Sequence, residues 1–438
     1  MIVPVKTLSR QERSAFVTSA PASSAAAFGL NLYLLFVISW FLHLGSRVPI
    51  LGAIRIDLIL VCVLAALALA SRPKERAPVT TTDKLLRVLI LYAVLTIPFV
   101  EWPGSVVRHG IAEFVKAVVF YYFTVAFVRT EGDLKKFTAV FLACQLFRVM
   151  EPLYLHLTEG YWGNYAYMAN KEWLARLSGA PSDVINPNGL AFVICTILPF
   201  LYFLQRLSWV NRLAFLCFTP ACLYALALTG SRSGFVGLMV IFLAILVKSR
   251  QRVLIGVTGV ILLVFGFTFL TEDQQDRYLS LFGAGEKNVI TAEGRIEGVK
   301  SNFRVSFRRP IFGHGLGTSL ETNANFGHSA QRAHNLFAEL AQELGYVGLV
   351  IFLLFMKSLF TGFSECKRRY VSVQGEGFLP RLVDSMQVWL WMNVFASLAT
   401  YGLSDYQWYL FGGFLVVLKR LDTGDHAASS VAGRGTKE

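Results

Sequence analysis

Three side chains in this sequence are suited to moving a group onto a hydroxyl without a metal: Arg232, Arg295 and His334. Arg232 sits in Gly230-Ser-Arg-Ser-Gly234, at the start of an apolar run. Small neighbours leave backbone amides open there, and an arginine beside a helix N-terminus suits a diphosphate. Taken alone, an arginine at the end of a membrane span is equally well explained by snorkelling. Arg295 lies in Glu293-Gly-Arg-Ile-Glu-Gly-Val-Lys300, a basic stretch that continues to Arg308-Arg309-Pro310. By itself it reads as a solvated loop charge. His334 and Asn335 lead into Leu336, Leu340 and Leu344 at helical spacing, with Glu339 and Glu343 on another face, which predicts a helix starting near Asn335. That N-terminus would present His334 to an anionic ligand, although a plain cap is the commoner use of such a pair.

Other chemistries are set aside by residue type and spacing. His314, His328 and His334 form no HExxH pattern, and no cysteine or acid completes a zinc set, so neither metal nor cofactor is expected. The run around Arg232 places arginine where a nucleophile elbow needs serine. Ile311-Phe-Gly-His-Gly-Leu-Gly317 resembles a nucleotide fingerprint only in its glycines; no βαβ pattern surrounds it, and tight backbone geometry is the better use. The six cysteines lie mostly inside apolar runs without CxxC spacing, as small core residues.

The elements that must position these residues are membrane helices. Of 438 residues, 55% are hydrophobic and 36 are Phe, which is too apolar for an ordinary soluble chain. The mean hydropathy of +0.53 agrees. Apolar runs recur from end to end, so the fold class is an all-α polytopic membrane protein. About twelve transmembrane helices are expected, at roughly 28–45, 49–71, 84–101, 108–128, 134–155, 189–206, 211–229, 234–249, 253–270, 343–363, 383–402 and 406–420. The net charge of +13 does not point to nucleic acid, because Lys and Arg cluster in short loops between the apolar runs. These loops mark one side as cytoplasmic and put both termini there, in a tail at 1–27 and another at 421–438. The opposite side receives a loop at about 156–188, rich in Tyr and Trp, and a large helical periplasmic loop at 271–342 between spans nine and ten. Spans 1–9 occupy 28–270 and spans 10–12 occupy 343–420. Charges inside the spans, namely Arg55, Asp57, Glu113, Lys116 and Arg148, must pair or line a cavity. Arg55 and Asp57 either share a cavity with Arg232 or neutralise each other.

Taken together, Gly230-Ser-Arg232-Ser-Gly234, Gly294-Arg295, Pro310-Ile-Phe-Gly-His-Gly315, Ala333-His334-Asn335 and Glu343-Leu-Gly345-Tyr-Val-Gly348 resemble the O-antigen ligase and polymerase superfamily of bacterial inner-membrane proteins. Asp183-Val-Ile-Asn-Pro-Asn188 adds to the likeness, which is specific over about 183–350 and topological elsewhere. The resemblance implies a glycosyltransferase of lipopolysaccharide biosynthesis. Its donor would be a glycan on undecaprenyl diphosphate, with lipid A-core as acceptor at the periplasmic face. Arg232 and Arg295 would bind the diphosphate and His334 would act on the acceptor hydroxyl, with Asn335, Glu343, Arg55 and Arg308 as supporting residues. A polysaccharide polymerase differs only in acceptor, a second lipid-linked glycan, and a protein O-oligosaccharyltransferase is a third branch. A lipid-linked glycan transporter is the alternative of another class, weakened because no inverted duplication is visible and the decisive charges fall near the outer edge of the membrane.

Overall fold

The computed structural model describes residues 24–70, 79–167, 173–249, 251–268, 272–279, 289–327, 331–400 and 402–434; some side chains within these ranges, including those of 289–296 and 423–434, are outside the description. Residues 1–23 of the expected 1–27 tail, and His328, also lie outside the described residues, while 24–27 already belong to the first helix. The first half of the chain contains α1 (Ser24–Leu42), α2 (Ile56–Ala70), α3 (Thr81–Leu95), α4 (Ile111–Phe127) and α5 (Glu131–Glu159). A two-stranded hairpin, β1 (Gly163–Tyr167) and β2 (Trp173–Leu177), comes next. It is followed by α6 (Pro187–Leu204), α7 (Trp209–Thr229), α8 (Arg232–Lys248) and α9 (Arg252–Thr268). The 271–342 region holds α10 (Glu272–Leu279), α11 (Val289–Ser306) and α12 (Ser319–Phe326), and the chain closes with α13 (Leu336–Gln374), α14 (Phe378–Ala396) and α15 (Tyr406–Arg434).

Each expected span coincides with a helix, but their lengths differ from the expectation. Among the described residues, five helical segments are long and apolar enough to cross a membrane: Pro103–Phe127, Glu131–Glu159, Pro187–Leu204, Trp209–Thr229 and Leu336–Ser372. Ala27–Leu42, Ile56–Ala70 and Arg252–Ile261 are shorter apolar helices. The expected 84–101 span is a helix of 15 residues, below the roughly 17–25 residues of a crossing helix, and the expected 234–249 span is a helix of 17 residues. The chain is a multi-pass membrane protein in these terms. The last helix runs past residue 420 to Arg434, and the first aromatic loop folds as an antiparallel hairpin with Gly163 opposite Leu177.

Helix ends follow local chemistry. Thr130 and Asp133 form a capping box at the start of α5, and Gly160 closes that helix in the left-handed conformation. The interior is aromatic: Phe36, Phe120, Phe137, Phe141 and Trp389 are fully buried where α1, α4, α5 and α14 meet. Phe141 lies 5.6 Å from the Trp389 ring and 5.4 Å from Phe41. α14 packs against α6 and α8, while α13 packs against α3.

Candidate functional site

α13 breaks near its start, and the break defines the site. Asn335 caps the helix, its side-chain oxygen accepting from Phe337 N and Ala338 N at 3.0 Å each. The helix therefore begins at Leu336, as the leucine spacing predicts, and exposed His334 stands just ahead of the cap. Nine residues into the helix, Gly345 adopts φ 68° and ψ −179°, which interrupts the hydrogen-bond ladder. A Cβ at that position would run into the carbonyl of Ile311.

The groups released by the break are taken up by the glycine-rich turn. His314 N donates to Gln342 O at 2.7 Å, Gly315 N donates to Glu343 O at 3.0 Å, and Tyr346 N donates to Pro310 O at 2.7 Å. Gly313, Gly315 and Gly317 all have positive φ, so the glycines serve backbone geometry. Glu343 is a frame residue: its buried carboxylate accepts from Gly317 N at 2.7 Å and Ser319 N at 3.2 Å. The buried His314 ring is set 2.9 Å from Glu101 and 3.3 Å from Val305 O, with Trp102 stacked 5.8 Å away. Thus the 97–110 segment between α3 and α4 and the 310–317 turn are one construction.

Arg232 is positioned by a second construction. Ser231 caps α8, its hydroxyl accepting from Gly234 N at 3.1 Å, and Arg232 is half-buried in the first turn. The Ser231 hydroxyl also donates to Asn188 Oδ1 at 2.9 Å, an oxygen that Arg176 of β2 reaches at the same distance. Arg176 further donates to Thr229 O at 2.8 Å, tying the hairpin to the turn before α8. Asn186 caps α6 by accepting from Gly189 N at 2.9 Å. Asp183 is fully buried and binds Arg148 in fork geometry, Nε to Oδ2 at 2.6 Å and Nη2 to Oδ1 at 3.1 Å. The Asp183–Asn188 segment therefore fastens α5, the hairpin and the start of α8 together.

A polar belt joins the Arg232 construction to the His334 construction. Arg148 donates to Gln145 at 3.1 Å, and Gln145 donates to the Tyr406 hydroxyl at 2.9 Å. Tyr406 opens α15 directly after the 402–405 turn. Gly402 N and Leu403 N in that turn donate to Glu339 at 2.7 and 3.1 Å, one turn into α13. Leu336 N donates to Ser397 O at 2.9 Å, and Asn335 donates to Leu398 O at 3.0 Å. Asp405 in the same turn is exposed, yet the protein around it pushes its carboxyl up to about 6 by desolvation.

The expected residues fall into different places. Arg295 lies within α11, and its side chain is outside the described residues. Arg308 is exposed, with its guanidinium 4.1 Å over the Phe326 ring, a cation–π contact on the loop surface. Arg55 is exposed with φ 52° at the turn before α2 and does not pair with Asp57, whose carboxylate accepts from Ser39 at 2.6 Å. Asn335 and Glu343 do frame work, as described. Glu113 and Lys116 neutralise each other at 2.7 Å. Sequence reasoning flagged Arg148 as a charge in an apolar run but had no way to reach its partner Asp183, 35 positions away. It missed Asp405, Gln145, Tyr406 and Arg176, which carry no motif. Among the described residues, no group of three His, Cys, Asp or Glu side chains is placed to hold a metal ion.

Residues 213–353, from α7 through the break in α13, match the family model described as O-antigen ligase. Over that segment the chain is similar to the O-antigen ligase family. The matched segment contains Arg232, Arg295, the glycine-rich turn and His334; Arg148, Asp183 and Asp405 lie outside it. Superfamily members are glycosyltransferase-like enzymes, which sets a bilayer and lipid-linked glycans as the general context. No curated protein matches the chain.

Proposed function

We propose that the protein is an O-antigen ligase, moving a glycan from undecaprenyl diphosphate to a hydroxyl of lipid A-core at the periplasmic face of a bacterial inner membrane. In this reading both termini are cytoplasmic, the twelve helices all span, and 271–342 is the periplasmic loop that carries Arg295 and His334. The observation that carries the proposal is the polar belt: in a chain that matches the O-antigen ligase model over 213–353, it links the helix start that holds Arg232 to the helix start that presents His334.

The chemistry needs two things from these residues. Breaking the sugar–phosphate bond leaves undecaprenyl diphosphate, whose charge Arg232 and Arg295 would stabilise as guanidinium forks without a metal. The acceptor oxygen forms the new bond to the anomeric carbon and gives its proton to His334, a side chain suited to that task near neutral pH. Direct displacement inverts the anomeric centre.

Reconstitution of the full-length protein with an undecaprenyl-diphosphate glycan and either lipid A-core or a second donor molecule tests the reading. Transfer to lipid A-core, with inversion, is expected. A lengthened lipid-linked chain would make the protein a polymerase, and retention would overturn direct displacement. His334→Ala should lower transfer by about 10²–10⁴-fold while leaving the thermal midpoint unchanged; wild-type turnover in that variant would remove His334 as base.

A further inference from the structure

The end of the bundle remote from this site has a cavity of its own. It has a volume of about 290 Å³ between the start of α3, the second half of α13 and α15. Arg369 lies 23 residues beyond Tyr346, past the break in α13, roughly 35 Å along the helix at helical rise, so this cavity is separate from the His334 site. Its walls carry Arg369, Lys419 and Arg420 together with the carboxylates of Glu365 and Asp422.

Two ion pairs define the rim. Arg369 Nη1 meets Asp422 at 2.6 Å, and Lys419 Nζ meets Glu365 at 3.0 Å. Arg420 Nη1 donates to Val125 O at 3.1 Å at the end of α4, and Arg129 lies within electrostatic reach of it. Among the residues lining the cavity, Arg369, Lys419 and Arg420 thus face Glu365 and Asp422, an excess of one positive charge around a space rather than a filled contact. The wall opposite is the first turn of α3, where the Thr80 hydroxyl caps by accepting from Asp83 N at 3.2 Å. First-turn amides have no partner within their own helix and favour an anion. Val79 and Val416 complete the wall with apolar surface.

We infer that this cavity is a phosphate-binding site, filled by the headgroup of an anionic phospholipid wedged between α3, α13 and α15. Guanidinium groups, an ammonium and the start of α3 line one volume, with the apolar side chains of Val79 and Val416 beside them. The alternative is a set of ion pairs that only fasten α13 to α15. That role needs no cavity and no charge excess.

The test uses the full-length protein purified in a neutral detergent. Thermal unfolding and native mass spectrometry are recorded with phosphatidylglycerol, with phosphatidylcholine, or with inorganic phosphate. Phosphatidylglycerol should be retained on the protein and raise the midpoint by about 5 °C over phosphatidylcholine. Arg420→Gln should lose most of that difference, and if that variant does not fold, Arg369→Gln serves in its place. A shift reproduced by inorganic phosphate alone supports the anion site and assigns it to soluble phosphate. Equal shifts from the two lipids, or a phosphatidylglycerol shift undiminished in the variants, would overturn the inference.

Discussion

The two ends of α13 are built on opposite principles. At its start, buried Glu339 and Glu343 are held by backbone amides of distant loops, Gly402 and Leu403 for one and Gly317 and Ser319 for the other. Towards its far end, charges pair side chain to side chain, as with Glu365–Lys419 and exposed Arg369 with buried Asp422. Backbone amides are fixed by the fold, so a carboxylate bound to them is locked in one place. Long side chains in water keep their freedom and return little stability. The first arrangement suits a site that must hold its geometry while charge moves, and the second suits a surface that can open around a ligand.

Breaking the rigid end should have the largest effects. Gly345→Val places a branched side chain at φ 68° against the Ile311 carbonyl, where neither the backbone nor the space admits it. It should remove the folded protein from detergent extracts, read by size-exclusion yield. Next, Asp183→Ala leaves Arg148 buried without its carboxylate and should cost about 3–5 kcal/mol, read as a fall in thermal midpoint. Arg148→Met with Asp183→Ala should recover much of the loss, because the pair is then removed whole.

Asp405 sharpens the comparison through pH. Its carboxyl is raised to about 6 from the ordinary 3.8, so the folded state holds this proton more tightly than the unfolded chain. The associated stability is therefore fully present below about pH 4 and lost as pH rises through about 6. Asp405→Asn should flatten the midpoint-against-pH curve between pH 4 and 6 and remove any step near pH 6 in the transfer rate. At the loose end, Lys419→Ala should cost about 0–1 kcal/mol, a change of midpoint close to the error of measurement in neutral detergent. A large loss there would show that the ion pairs are structural bolts after all.

Much of the outline was legible because it depends on neighbours in sequence. The cap at Asn335, the helix opening at Arg232, the stop before Pro310 and the hydrophobic runs follow from periodicity and local hydrogen bonding, and the structure has each within a few residues. The glycines of 311–317 were read as backbone devices, but the broken helix they wrap was not visible. The expected span at α3 runs too far at its end, since apolar composition continues past Leu95 into a turn where the α-helix does not continue.

By itself, the sequence determined a multi-pass helical membrane protein with a histidine at one helix start, an arginine at another and a glycine-rich turn between them. Periodicity, caps and charge asymmetry are properties of short stretches, so a linear reading reaches them. Only the tertiary structure decided that Glu343 and Asn335 are frame residues, that Arg308 and Arg55 stand apart, and that Arg148, Asp183, Gln145 and Tyr406 link the two helix starts. Those decisions rest on pairings such as Gln145 with Tyr406, 261 positions apart. Such contacts have no period and no motif, and only packing brings them together.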